Sequence, residues 1–528
     1  MSWAPVSPSA PNTDMPPSAD TRLRRIVIIL PAALALAYAL GHLGWYLATP
    51  LGRVPVLDER ENLDLAGAIA SGALPAAPFY RAPGYALLLA CIRWAGVPAQ
   101  ALFPAALLLG AVLHAAGAAL AARIALRWFG VAAALAAGIL FALNPVLIHF
   151  ATQALDSTLS MTLFLAGLEL VARARSSPGG AGPWAGAGAL WAAATLVRPN
   201  YLFTWALLPP LALTTAGTAR LRARLVAASL CGVLLFAAAA AWQWRVCGVP
   251  GFLPWQGAYN LWSANRPGAN GRFYTQRVSL PPELARANPA RAESVLLYEQ
   301  ETGGAPEDIP AMNAHWRSRF IDEVASHPLR LGALMEHKAY ALLNNWEQYN
   351  NKTFAFHKER SPWLRWNPVC FGLLLVLGVA GAYRLAAQVP GAARTLAWVG
   401  AACAASVLLF FVSARFRLPL AAMLTVLAGG ALGSPGFWRG LSRRAAAGVA
   451  LSMVLAAAVA FSKLGGVQDA STFVQDHALL ARAAFTVGDD ATALAEAREA
   501  LKMQPWHPDA AAIEKAAQAE LAERGRAP

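Results

Sequence analysis

Long apolar blocks leave this chain few ways to fold. Blocks of membrane-crossing length lie near residues 26–47, 101–122, 131–150, 155–172, 184–199, 200–216, 223–244, 366–383, 393–412, 416–433 and 443–462. A helix of roughly 20 apolar residues crosses the hydrocarbon core, where every backbone amide must be satisfied internally. The expected fold is therefore all-α and polytopic, with about eleven transmembrane helices. Composition agrees. The chain is 57% hydrophobic and only 14% charged, where soluble domains carry roughly a quarter charged residues.

The 43 Lys and Arg exceed the 29 Asp and Glu by 14. In a membrane protein such an excess belongs first to cytoplasmic loops, so no nucleic-acid partner is expected. One further block, "APGYALLLACIRWAG" at 82–96, is short and interrupted by Arg93. Loop charge decides where it goes. If it lies on the membrane surface, the inner connections hold Arg22, Arg24, Arg25, Arg123, Arg127, Arg173, Arg175, Arg220, Arg222, Arg224, Arg384, Arg394, Arg439, Arg443 and Arg444. The short outer connections then hold only Arg198, Arg415 and Arg417. Letting the block cross would reverse that bias, against the positive-inside rule.

This threading divides the chain. Residues 1–24 form a cytoplasmic tail, rich in Pro and Ser over 1–20 and expected to be disordered. Residues 25–462 form the membrane domain, with a first outer loop at 48–100 and a large outer loop at 246–365. Two juxtamembrane helices are expected in the first loop, near 60–71 and 83–96, and a break at His327-Pro328 in the second. Residues 463–528 lie outside, where Gly488, Ala493, Ala500 and Pro505 fall at the spacing of a tetratricopeptide-like helical pair. A plain amphipathic hairpin fits that tail equally well. The expected location is the cell (inner) membrane, multi-pass, with the N-terminus cytoplasmic and the C-terminus periplasmic. The five cysteines show no metal-ligand spacing and no disulfide framework.

The outer face gathers the chain's scarce charges. Asp58 and Glu59 follow the first span, in "VLDERENLDLAG". Arg81 stands in "FYRAPGY", Asp156 in "ATQALDSTLS", Arg198 in "LVRPNYLF", Lys338 on an outer-loop helix, and Arg415 and Arg417 in "ARFRLPL". Acids and bases converging on one surface suit a base acting beside a bound phosphate. Each has a plainer reading. Asp58 with Glu61 spells a helix-capping box, Asp156 fits a helix cap, and arginines snorkel to headgroups.

"LDERENLDLAGAIASG" followed by "FYRAPGYALLLACIRWAG" resembles the first outer loop of polyprenyl-phosphate-sugar-dependent membrane glycosyltransferases. This GT-C class includes the protein O-mannosyltransferases and the lipid A aminoarabinose transferase. "LVRPNYLF", "AYNLWSANRPGANG" and "RFRLPL" look like segments of its bacterial members, and the resemblance covers residues 25–435. Two departures stand out. The acidic pair is Asp-Glu rather than Asp-Asp, and Ala82 separates Arg81 from the proline.

The resemblance implies a sugar donor on undecaprenyl or a related polyprenyl phosphate and a GT-C-type bundle. Asp58 would act as general base on an acceptor hydroxyl, with inversion at the anomeric carbon. Asp156 and Glu59 would orient the acceptor, or bind a basic sugar or a metal. Arg81, Arg198, Lys338, Arg415 and Arg417 would hold the donor phosphate, and Tyr80, Tyr259 and Asn265 would contact sugar or acceptor. The acceptor is a glycan, a lipid or a protein. No cofactor is required, and a divalent metal stays open because metal use varies across the class. The C-terminal helices offer a site for a protein partner. The competing readings are a transporter or flippase of a lipid-linked substrate, and a scaffold for envelope glycan assembly. Against the first, the spans carry almost no acids other than Glu169, where transporters place ionisable groups at mid-membrane.

Overall fold

The computed structural model describes residues 17–74, 76–176, 180–214, 221–281, 288–305 and 308–524. Most of the proposed N-terminal tail, residues 1–16, and Arg220 of one inner connection lie outside that set. All regular elements among the described residues are helices. Eight of them are long and apolar enough to cross a membrane: Thr21–Ala48, Ala99–Phe129, Asp156–Ser176, Ala223–Cys247, Phe371–Gln388, Pro390–Leu409, Ala414–Leu432 and Arg443–Phe461. A bent pair, Val131–Ala142 and Pro145–Ala151, broken by 55°, is long and apolar enough when its two helices are taken together. The break follows from Asn144-Pro145. Pro145 cannot continue the upstream helix, and Asn144 caps the new one by accepting from Val146 N at 3.0 Å. The chain is thus a multi-pass, all-helical membrane protein.

The two remaining blocks depart from the expected eleven long helices. The block at 184–199 is a 16-residue helix, Gly182–Val197. The block at 200–216 is broken into a 3-10 turn and two short helices, Leu202–Ala206 and Leu208–Leu213, because Pro209 and Pro210 interrupt the hydrogen-bond ladder. This broken run still links the two ends of the bundle. Arg198 at its start lies beside Asp156, and Thr214 at its finish accepts from Arg175 Nη1 at 2.9 Å.

Small residues let these helices approach closely, as is common where lipid gives no hydrophobic drive between helices. A Cβ on Gly381 would lie 1.8 Å from Leu427 O of the helix Ala414–Leu432. Buried aromatics, among them Phe141, Phe164, Trp184 and Trp191, fill the core between.

Charge segregates to the two bundle ends. At one end Glu169 accepts from Arg127 at 2.9 Å and lies 3.4 Å from Arg123. The other end carries Asp58, Asp156, Arg198 and Arg415. Here the block at 82–96 forms an 11-residue helix, Gly84–Trp94, too short to cross, packed on the helix Asp58–Ser71. The expected juxtamembrane pair is present.

The large loop folds around its own core of Trp255, Tyr259, Trp262, Leu297, Tyr298, Met312 and Trp316. Its helix Ile309–Ser326 ends at His327, and Pro328 opens the next helix, Pro328–Leu343. The C-terminal segment forms three helices, Phe473–Thr486, Asp490–Met503 and Pro508–Arg524. Alanines 481, 484, 493 and 497 lie fully buried between them. The tail docks on the Asp58 end. Asp476 accepts from Thr353 N at 2.8 Å, and Leu480 and Ala483 join the apolar cluster under the first loop.

Candidate functional site

The site is built around Asp58. The residue before it, Leu57, has φ +49°, a backbone conformation that costs a non-glycine residue on the order of 1–3 kcal/mol. This turn starts the helix one residue earlier than a capping box requires. Asp58 is the first helical residue and its side chain caps nothing. It is Glu59 that reaches back, accepting from Val56 N at 3.2 Å. The Asp58–Glu61 capping box is therefore replaced by something more specific.

The Asp58 carboxylate is 10% exposed and gripped by two guanidiniums. Arg415 Nη1 donates to Oδ2 at 2.9 Å, and Arg81 Nη2 donates to Oδ1. Arg81 also donates to Glu61. Burial favours the neutral acid, but Arg81 and Arg415 outweigh it and hold Asp58 well below the usual carboxylate range. Asn351, itself at φ +59°, sits against the same carboxylate.

Arg198 and Asp156 stand beside this group. Arg198 is 5% exposed, stacks over the Phe416 ring at 4.4 Å and donates to Arg415 O at 3.2 Å. Burial pushes it down to about 10, with Asp156 opposing and Arg415 reinforcing that shift, so it stays cationic at neutral pH. Asp156 opens the helix Asp156–Ser176. Its Oδ1 lies 3.7 Å from Arg198 Nη2, beyond hydrogen-bond reach, and has no hydrogen-bond partner in the protein. Ser157 Oγ, Thr158 Oγ1 and Arg415 Nε are likewise buried and unpartnered. Arg198 and Arg415 line one small cavity with Asn200, Ser406 and Phe416. Buried polar atoms that the protein leaves unpaired are open to a water or a polar ligand.

Other residues expected at the site are occupied elsewhere. Glu59 is 1% exposed and pairs with Lys352 Nζ at 3.0 Å, and Lys352 also donates to Tyr46 at 2.8 Å. That closed pair braces the first loop rather than presenting an acid to substrate. Lys338 is fully buried, and its Nζ donates to Asn265 Oδ1, Leu408 O and Phe410 O at 2.8, 3.0 and 2.7 Å. Its three protons are spent tying the large loop to the membrane helices. Arg417 binds Glu347 at 2.6 Å and the carbonyls of Leu342, Asn344 and Trp346. Neither cation is free for a phosphate in this arrangement.

Two of the three expected sugar contacts are also buried. Tyr259, 1% exposed, donates to Glu293 at 2.5 Å inside the loop core. Asn265 donates to Leu261 O and Leu409 O. Tyr80 packs its ring on Trp255 and donates to Asn288 at 3.3 Å, on the half-buried side of the loop.

Sequence reasoning missed the segment 347–353, "EQYNNKT". It threads through the site and ties three elements together: Glu347 to Arg417 and Asn350 to Ser413 on one helix and its cap, Lys352 to Glu59 and Thr353 to Asp476. The available signal was a dense polar run in an apolar chain. Among the described residues, no group of three or more His, Cys, Asp or Glu is placed to hold a metal ion.

The fold and site thus define a polytopic helical membrane protein with a paired carboxylate and arginines at one bundle end. No protein-family model and no curated protein matches the chain. Solved structures do align with it. One is the oligosaccharyltransferase AglB from Archaeoglobus fulgidus in complex with an inhibitory peptide and a dolichol-phosphate, at 14% identity, TM-score 0.43, covering 83% of this chain and 54% of that one. Another is ArnT from Cupriavidus metallidurans bound to undecaprenyl phosphate, at 18% identity, TM-score 0.31, covering 78% and 80%. The apo ArnT aligns at 17% identity and TM-score 0.30, covering 76% and 77%. The chain spans about half the length of the archaeal enzyme.

Proposed function

We propose that this protein transfers a sugar from a polyprenyl-phosphate-linked donor to an acceptor hydroxyl at the outer face of the cytoplasmic membrane. The observation that carries the reading is the Asp58 carboxylate held between Arg81 and Arg415, with Arg198 and the unpartnered Asp156 beside it. A base, a phosphate site and an acceptor-orienting acid are what such a transfer needs. The motif resemblance of the first loop supports the polyprenyl donor.

The acceptor oxygen attacks the anomeric carbon on the face opposite the phosphate. The new C–O bond forms as the bond to the phosphate oxygen breaks, so configuration inverts. The leaving phosphate is already a stable anion and requires no general acid. Arg198 and Arg415 receive its charge through charge-assisted bonds once the small cavity they line, about 10 Å³, opens to admit the phosphate. Asp58 takes the hydroxyl proton. In the present arrangement it is a weak base, because Arg81 and Arg415 stabilise its ionised form. A donor phosphate drawing those arginines toward itself raises the basicity of Asp58 as the donor arrives. Asp156, with Ser157 and Thr158, orients the acceptor. Glu59 and Lys352 position the loop that carries Asp58. The C-terminal helices, read as tetratricopeptide-like, brace the same end and offer a surface to a protein partner.

Binding tests the phosphate assignment apart from chemistry. Arg198→Gln and Arg415→Gln should each weaken undecaprenyl-phosphate binding by about tenfold, read by displacement of a fluorescent polyprenyl phosphate in detergent. Unchanged affinity in both variants would remove the phosphate site from this cavity. A transporter reading finds less support, since the spans carry almost no acids other than Glu169.

A further inference from the structure

The helix Asp58–Ser71 has a second working face. Its inner face buries Asp58, Glu59, Asn62, Ala66 and Ile69. Its opposite face, through Leu63, Asp64 and Gly67, lines a separate cavity of about 560 Å³. That volume falls in the range of small-molecule sites, roughly 300–1,000 Å³. Arg53, just past the first span, and Arg93 and Trp94, from the second juxtamembrane helix, complete the walls with Phe103.

Three charges in this cavity are unspent. Arg53 uses only Nε, donating to Leu47 O at 3.2 Å, and Arg93 uses Nη1, donating to Val97 O at 2.5 Å. Among the described residues neither forms an ion pair, and neither does Asp64. Two guanidiniums with free N–H groups suit one phosphate. A carboxylate beside them suits an ammonium.

The surroundings are interfacial. Trp94 is 59% exposed, as expected at a headgroup level. The helix that supplies Phe103 continues into exposed Leu108 and Val112, at 49% and 50%, the kind of flank that faces acyl chains. A ligand here has its polar part among the charges and its tail along that flank.

We propose that this cavity binds a phospholipid whose headgroup carries both a phosphate and a primary amine. The phosphate is held by Arg53 and Arg93 and the amine by Asp64. The bound lipid braces the outer face of the helix whose inner face presents Asp58. The proposal is independent of the transfer reaction, and its readout is binding.

The test uses the full chain in mixed micelles containing phosphatidylethanolamine, phosphatidylglycerol or phosphatidylcholine at equal mole fraction, read by thermal unfolding and native mass spectrometry. Phosphatidylethanolamine should be retained about tenfold better than the other two and should raise the midpoint most. Asp64→Asn, an exposed change with little folding risk, should abolish its advantage over phosphatidylglycerol. Arg93→Gln should weaken retention of both, and Arg93→Lys should restore part of it. Equal retention of all three headgroups by the native chain overturns the proposal. So does a preference that survives Asp64→Asn. Equal protection by soluble glycerophosphoethanolamine overturns the lipid assignment.

Discussion

Arg415 donates to the carboxylate of Asp58 at 2.9 Å across 357 positions of chain. This contact joins the first juxtamembrane helix to the start of the helix Ala414–Leu432. The pair is almost buried, so each partner depends on the other. Removing one side of such a pair typically costs about 3–5 kcal/mol, because it strands the other charge. Arg415→Met should therefore lower the unfolding midpoint well beyond Asp58→Asn, which keeps a hydrogen-bonding group for Arg81. Equal, small effects of both changes would show the pair to be solvated.

The same pair sets a pH response. The Asp58 carboxyl is held below its unfolded value by Arg81 and Arg415, against the opposing effect of burial. Its contribution is present above the unfolded value, about 4, and is lost as pH falls through the folded one. Stability should decline below about pH 4 in the native chain, and Asp58→Asn should reduce that decline. Unfolding midpoints from pH 6 to pH 3 measure it.

Lys338 gives a slope of the same sign in a higher pH window. Burial lowers it to about 7. Between that value and the unfolded one, about 10.4, the unfolded chain binds more protons, so stability rises with pH through this window. Lys338→Met removes the slope and leaves Asn265, Leu408 and Phe410 without their donor. A pH series of thermal midpoints from 7 to 10 should be flatter in the variant. An identical series would show that the ammonium, with its three acceptors, persists throughout.

Glu59 and Lys352 form a second buried pair, at 3.0 Å and each 1% exposed in its side chain. Lys352→Met alone should destabilise by about 3–5 kcal/mol, and Glu59→Gln in the same chain should recover part of the loss. A double-mutant cycle by chemical denaturation in detergent reads the coupling. Additive losses would mean that the two residues do not act together.

The tail should be undocked by one change. Asp476 is fully buried, accepts from Thr353 N and lies 3.2 Å from His357 Nε2. Asp476→Ala should expose residues 463–472 to limited proteolysis while the membrane core resists. An unchanged cleavage pattern would mean that the apolar contacts of Leu480 and Ala483 hold the tail alone.

The membrane helices were legible because apolar blocks in an otherwise charge-poor chain have one use. Arg198 and Arg415 were singled out because, in the expected threading, they break the positive-inside rule, and Asp58 and Arg81 because charges are scarce in this chain; the structure brings Asp58, Arg81 and Arg415 into contact, with Arg198 alongside. Lys338 and Arg417 looked the same, yet the structure pairs them with groups of the chain itself. A lone cation reads alike whether it meets a ligand or its own chain's carbonyls, and only the folded loop decides between them. Tyr259 and Asn265 are placed in the loop's own contacts, and the sequence did not announce this because aromatic and amide side chains serve an interfacial site and a loop core equally well. The Asp58–Glu61 cap failed on one backbone angle, the positive φ of Leu57, which no local pattern announces.

The most direct test of the central claim is release of polyprenyl phosphate from a polyprenyl-phosphate sugar by the purified chain and its Asp58→Asn variant. Both must first be shown to fold alike and to bind undecaprenyl phosphate. The account predicts donor-dependent release by the native chain and a loss of at least about a hundredfold in the variant, the scale of general-base catalysis. Equal release by the two proteins would contradict it.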